Sequence, residues 1–438
     1  MISTPSRLRF THIGGCLARL GSRLVAEQST GTAGAGPGPI GLRGALAHWW
    51  HQPLRRHGEI IEGRSVGNLE LFYDLVFVVL IARISHTLVE HLTLRGVAEF
   101  AILFALIMAA WQNGSMFHDL HARDDGRGRN IIFAEMTVLV VMSTFIGHAY
   151  GEDGRAFAWV YAGLFTLIAV QWWRVRLLDE ERYRQLTGQY LAGMIAMIGL
   201  MVLSANVGAD LRFWIWLGVA LLYSLGAAGQ VLMNRNFDEI GFHVTHAFTE
   251  RMGLFVIIVL GETVAGVANG LLEADPRTLM TFVVGALTLQ VAFGFWWTYF
   301  DTTRSLPPRR TVRSTPMWIL LHLPLTGGIA AAGAGMVGLV GHATAEHPPV
   351  AAARLLGGAG ALVLLATALI GLTLDDPRLA VIRRPATATL AGGAAAFVVV
   401  GLIPMAPWLT ALLLGLIGLV CWFGLFALVA TRAEWEQA

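Results

Sequence analysis

From Leu69 onward the chain alternates long apolar runs with short polar connections. Twelve runs begin near Leu69, Val97, Asn130, Ala156, Tyr190, Leu211, Met252, Leu279, Met317, Val350, Thr387 and Trp408. Each holds about 17 to 25 residues, enough to cross a hydrocarbon core of about 30 Å at roughly 1.5 Å per helical residue. Backbone polar groups in lipid must be satisfied internally, so the runs predict helices. The predicted fold is all-α, a polytopic transmembrane bundle of about twelve spans.

Composition agrees. Of 438 residues, 55% are hydrophobic and 14% charged, against about 25% charged in soluble domains. The net charge is +2 and every basic residue counted is an arginine. Connections near Arg95, Arg155, Arg212, Arg277 and Arg354 carry one Arg each. Of the others, apart from Arg83 inside the first run, eight lie within residues 1–65 and most of the rest cluster at Arg123 to Arg129, Arg174 to Arg184, Arg304 to Arg313 and Arg378 to Arg384. The positive-inside rule then predicts an even number of spans with both termini cytoplasmic. Cys16 and Cys421 are the only cysteines, so neither a structural disulfide nor a thiolate metal site is expected.

Residues 1–65, rich in Arg, Gly and Pro, hold no run of spanning or signal-peptide length and predict a disordered cytoplasmic tail. Residues 66–236 and 237–438 then form two six-span halves. Glu70-Leu-Phe-Tyr-Asp-Leu-Val-Phe77 opens the first span much as Glu250-Arg-Met-Gly-Leu-Phe-Val-Ile257 opens the seventh, and the second and eighth end in Phe117-His-Asp119 and Tyr299-Phe-Asp301. Six spans separate the copies, an even number, so the halves are expected to be parallel, related by an axis along the membrane normal.

The candidate chemistry is carboxylate and cation at depth. Glu262 falls about ten residues into the apolar run after Arg251, close to the expected midplane, where an ionisable group must face the bundle interior with a partner. Arg83 is too deep in the first span to reach the interface and needs an acid; Glu262 is the deepest available. Glu70 and Asp74 share a helical face, and with Glu135, Glu250, Arg251 and His322 they predict a polar layer toward the cytoplasmic side. The proposed site therefore comprises Glu262, Arg83, Glu70, Asp74, Glu250, Arg251, His322 and Asp301. Pro324 predicts a kink that frees a carbonyl near Leu320. His118, Asp119, His121, Asp124 and Asp125 read as an Arg-paired loop. His243, His246 and Glu250 have a spacing that permits a metal, but beside Asp238 and Glu239 they read as a solvated helix start; no metal, cofactor or nucleic-acid partner is assigned.

Glu70-Leu-Phe-Tyr-Asp-Leu-Val-Phe-Val78 with Ser85-His86, Glu250 to Glu262, Trp297-Thr-Tyr-Phe-Asp301 and His322-Leu-Pro-Leu325 occur in this order. In these motifs the chain resembles the low temperature requirement A family of bacterial membrane proteins, over about Gly67 to Thr431. The resemblance implies a polytopic inner-membrane protein and supplies no substrate. The function expected from the residues is a proton- or ion-coupled carrier of a small solute, with the lipid bilayer and that solute or ion as partners and the oligomeric state open. The alternative is an intramembrane enzyme or sensor. No nucleophile and base set is visible to favour an enzyme.

Overall fold

The computed structural model describes residues 64–123, 125–233, 244–303, 306–309, 311, 313–345, 347–375 and 377–433, together with Gly44, Trp49, Trp50, 54–57 and Glu59. Chain contacts separate Met1–His51 from Gln52–Ala438, and the structure below is that of the second unit.

Twelve α-helices account for the twelve predicted runs: α1 (Asn68–Glu90), α2 (Leu94–Leu120), α3 (Gly126–Phe145), α4 (Gly154–Leu178), α5 (Glu181–Ser204), α6 (Ala209–Met233), α7 (His246–Glu273), α8 (Leu279–Thr303), α9 (Ser314–Gly341), α10 (Val350–Thr373), α11 (Pro377–Leu402) and α12 (Pro407–Ala433). No strand is present among the described residues. Eleven of the helices are long and apolar enough to cross a membrane; the other, α6, is 25 residues long.

Polar side chains set several helix starts. The Glu70 carboxylate accepts the Gly67 backbone N–H at 3.0 Å at the start of α1. Thr93 accepts from Gly96 before α2, and Asp125 from Gly128 before α3. Thr245 caps α7 by accepting the Phe248 N–H at 3.0 Å, and its hydroxyl donates to Asp119 at the end of α2 at 2.7 Å. Each cap satisfies a backbone donor that the helix itself leaves open.

The residues that join the bundle begin before the expected boundary at residue 65. Arg55 donates to the carbonyl oxygens of His118, Asp119 and Ala122, and so caps the C-terminal end of α2, where the partial charge is negative. Arg64 pairs with Glu70 and, at 2.7 Å, with Asp119. His118 and Asp119 are therefore not loop residues. They lie in the last turn of α2 and are buried. Asp124, Asp238, Glu239 and His243 fall outside the described residues.

α9 is the most enclosed of the candidate spans, and its neighbours include α1, α2, α6, α7, α8, α10 and α12. α10 interleaves with α9 on one side and α11 on the other through small residues. A Cβ at Gly357 in α10 would lie 2.8 Å from Gly401 Cα in α11, and one at Gly401 would lie 2.9 Å from Gly357 Cα. Such backbone approach is how helices associate in lipid, where no hydrophobic drive separates protein from solvent.

Helix neighbours recur between the first six helices and the last six. α1 packs on α2 and α3, α3 on α4, α4 on α5, α5 on α6, and α2 on α6. Six positions later, α7 packs on α8 and α9, α9 on α10, α10 on α11, α11 on α12, and α8 on α12.

The α10–α11 contact yields a direct test. Gly401→Val should destabilise the fold by about 1–3 kcal/mol, the usual cost of overpacking. Gly392→Val, in the same helix but with nothing within 4 Å of its added Cβ, should leave the thermal unfolding midpoint of the purified protein near the parent value. Equal midpoints for the two variants would contradict this packing.

Candidate functional site

The polar layer is built where α1, α2 and α7 meet. Asp74 is the seventh residue of α1 and Arg251 the sixth of α7, and the two helices start from the same end of the bundle. Their side chains form a two-pronged ion pair: Arg251 Nε lies 2.9 Å from Asp74 Oδ2, and Nη2 lies 2.7 Å from Oδ1. The Trp111 indole of α2 donates to the same carboxylate at 2.7 Å. The Asp74 side chain is 0% exposed and that of Arg251 2%. The guanidinium also faces the Tyr73 and Trp111 rings, its carbon 5.6 and 5.9 Å from their centroids. Trp111 in turn stacks on Phe255 at 4.1 Å. Removing one member of such a buried pair leaves the other uncompensated.

Further polar groups surround the pair. Gln171 of α4 donates to Glu135 of α3, and Tyr73 and His118 meet edge to face at 5.5 Å. Among the described residues, His118 Nδ1 and Arg251 Nη1 are buried without a hydrogen-bond partner, and the Tyr73 hydroxyl faces the Glu135 carboxylate. Gly114 makes room for Tyr73: a Cβ there would lie 2.3 Å from the tyrosine hydroxyl.

The structure brings together Glu70, Asp74 and Arg251 of the predicted residues, with Asp74 and Arg251 in direct contact. His322 is buried nearby in sequence register but is held by another set. Its Nδ1 lies 2.7 Å from the Trp318 carbonyl, and its Nε2 lies 3.0 Å from the Tyr299 hydroxyl, so Nδ1 carries the proton and Nε2 accepts. Asp301 accepts the Trp422 indole N–H at 2.7 Å near the end of α8. Glu250 is half-buried at the start of α7 and lies in no ion pair among the described residues.

The expected Glu262–Arg83 pair does not form. Arg83 is exposed on the outer side of α1, because Leu80, Ile81 and Ile84 take the buried face. Glu262 is half-buried at the edge of the α7 face formed by Leu260, Thr263 and Val267. Depth in the sequence matched these two residues, but helical facing separates them.

A cavity of about 290 Å³ lies beside the ion pair, between α2, α5, α6 and α9. It reaches from Leu120 and Pro316 at the end with the arginine-rich connections to Ala105 and Met197, about 20 Å by the rise along α2. Gln112 and Asn113, the residues after Trp111, form part of its wall. Tyr190 of α5 donates to Asn113, and Tyr223 of α6 donates to Gln112 at 3.2 Å. Pro324 cannot donate to the carbonyl of Leu320, four residues earlier, and Leu320 is itself a wall residue. Sequence reasoning missed Gln112, Asn113, Tyr190 and Tyr223. The signal was there in two amides following a tryptophan inside an apolar run, a placement that lipid does not tolerate without partners.

Eleven helices of spanning length, exposed large apolar side chains along them and a buried charged layer define a polytopic helical membrane protein. The chain belongs to the family of bacterial low temperature requirement A proteins, whose profile matches residues 65–427. It is 27% identical over 294 residues to an uncharacterized protein of Rhizobium meliloti (strain 1021), a match that covers 59% of this chain and 66%, just under two thirds, of that relative. No solved structure matches.

At the end of the bundle, outside the spans, Arg55 and His57 are held by groups that respond to pH. His57 Nδ1 lies 2.6 Å from Asp179 Oδ1. Burial opposes ionisation of Asp179, but the hydrogen bonds from His57 and Thr187 outweigh it and hold the carboxyl below its ordinary range. His121 Nδ1 donates to the Arg55 carbonyl at 3.0 Å, its Nε2 has no partner among the described residues, and burial followed by the nearby His57 pushes its imidazole down to about 4. The unfolded imidazole takes up its proton near pH 6.5, so between that pH and about 4 the unfolded chain binds more protons and stability falls as pH falls. The shift corresponds to about 3 kcal/mol at most. His121→Asn, which keeps a donor toward Arg55 and cannot titrate, should lose less thermal stability between pH 7 and pH 4.5 than the parent. An equal loss would assign the acid sensitivity elsewhere.

Proposed function

We propose that this protein is a carrier that moves a small solute across the bacterial cytoplasmic membrane, coupled to protons or another ion. The observation that carries the reading is the adjacency on α2. Trp111 donates to the buried Asp74 carboxylate while the next two residues, Gln112 and Asn113, line the cavity. A change in the charge or position of the Asp74–Arg251 pair is thereby passed to the cavity wall within one turn of one helix.

In this reading residues 66–236 and 237–438 are two parallel halves, α1 to α6 and α7 to α12, and alternating access is a rocking of one against the other. The ion pair joins the first helix of each half. The arginine-rich end and both termini face the cytoplasm, which makes the cavity inward-facing. Solute occupies the cavity rather than the neighbourhood of Glu262. Glu262, an acid far along a span with no cation against it among the described residues, serves as the candidate coupling group. The recurrence of helix neighbours and the placement of the arginines support this arrangement.

Purified protein in liposomes, loaded with a metabolite panel under an imposed proton gradient, tests the reading. Uptake of at least one solute should follow the gradient, and Glu262→Gln should weaken that dependence by about tenfold, within the usual range of a coupling free energy. Solute uptake of the same size in empty liposomes, for every solute tried, would contradict the carrier reading.

A further inference from the structure

The cavity also indicates what it holds. Its wall combines two kinds of surface. Met108, Met116, Met194 and Met197 contribute unbranched, adaptable apolar side chains, which fit bodies of varied shape. Gln112, Asn113, Tyr190 and Tyr223 contribute amide and phenol groups. Both phenols already donate to the amides, Tyr190 to Asn113 and Tyr223 to Gln112. What remains for a ligand is therefore a pair of phenolic lone pairs and the unused amide N–H groups. Asn113 spends one N–H on the Ala109 carbonyl at 2.7 Å, and Gln112 reaches the Ile319 carbonyl at 3.4 Å.

No Asp, Glu or Arg lines the cavity among the described residues, and its one ionisable imidazole, His57 at the rim, is engaged by Asp179. A charged ligand would bury its charge against methionine and leucine without a counter-charge, which costs far more than burying a neutral polar group that finds hydrogen bonds. The volume, about 290 Å³, lies at the small end of ligand cavities.

We propose that the cavity binds a small uncharged amphiphile, with an apolar body against the methionines and a single hydrogen-bonding head, an amide or an alcohol, against Gln112, Asn113, Tyr190 and Tyr223. This rests on the reading of the cavity as the solute site, but binding is measured without transport, so the two stand or fall separately.

The test uses the full chain in lipid nanodiscs, with radiolabelled benzamide, phenylacetamide and 2-phenylethanol set against benzoate, phenylacetate and phenethylamine. Equilibrium dialysis, with empty nanodiscs subtracted, should show saturable binding of a neutral compound at least about tenfold tighter than its charged counterpart. Gly193 is a wall residue with nothing within 4 Å of an added Cβ. Gly193→Trp should therefore fill the space without disturbing the backbone and remove that binding, while its thermal unfolding midpoint stays near the parent's. Saturable binding of the charged compounds with equal or greater affinity would overturn the proposal. So would unchanged binding in folded Gly193→Trp, or no saturable binding of any neutral compound. If neutral binding is found and liposome uptake is not, the ligand class holds and the carrier reading fails.

Discussion

An arginine and an aspartate placed among apolar residues at matching depth leave a membrane protein little choice. Each alone in hydrocarbon is costly, and together they are tolerated only with near-ideal geometry and further hydrogen bonds. Asp74 and Arg251 meet both conditions, with two-pronged contact and a third donor from Trp111. Three helices, α1, α2 and α7, are thereby fixed in rotation and depth at one level. The rest of the polar layer follows from this. Tyr73 is the chain neighbour of Asp74, Gly114 leaves space for its hydroxyl, and the Trp111 indole can reach Asp74 only if Gln112 and Asn113 turn toward the cavity side. Thr245, which caps α7 and bonds Asp119, and Arg64, which bonds both Glu70 and Asp119, repeat the same three-helix junction at the bundle end.

Much of this was legible in the sequence because lipid simplifies the code. Apolar runs at spanning length located all twelve helices, and resemblance in four motifs named the family. Asp74 and Arg251 were both picked out as members of one layer, since each stands near the start of a span entered from the same side. What the sequence did not yield was facing. Arg83 and Glu262 match in depth, yet the buried faces of α1 and α7 turn Arg83 outward and leave Glu262 at an edge. One-dimensional depth carries no rotation about the helix axis, and in membrane helices the apolar residues on the lipid side blur the periodicity that would supply it. The cavity was hidden for a related reason. Its wall draws on six helices, from α2 to α9, and only the paired amides at 112 and 113 hinted at it.

A bundle whose centre is held by charges cannot slide gradually, because partial separation exposes both charges to hydrocarbon. Discrete arrangements of this kind are what the proposed carrier reading calls for. α10 and α11, by contrast, pack backbone to backbone at Gly357 and Gly401, with no room for an added methyl group.

The coupling between Asp74 and Arg251 tests this account most directly. In a double-mutant cycle read by thermal or denaturant unfolding of the purified protein, Asp74→Asn and Arg251→Met should each cost about 3–5 kcal/mol, the usual loss when one partner of a buried pair is removed. Combining them should cost no more than either alone, since the second substitution removes the stranded charge. Costs that simply add, or single variants as stable as the parent, would show that the pair does not hold the three helices, and the account would fail.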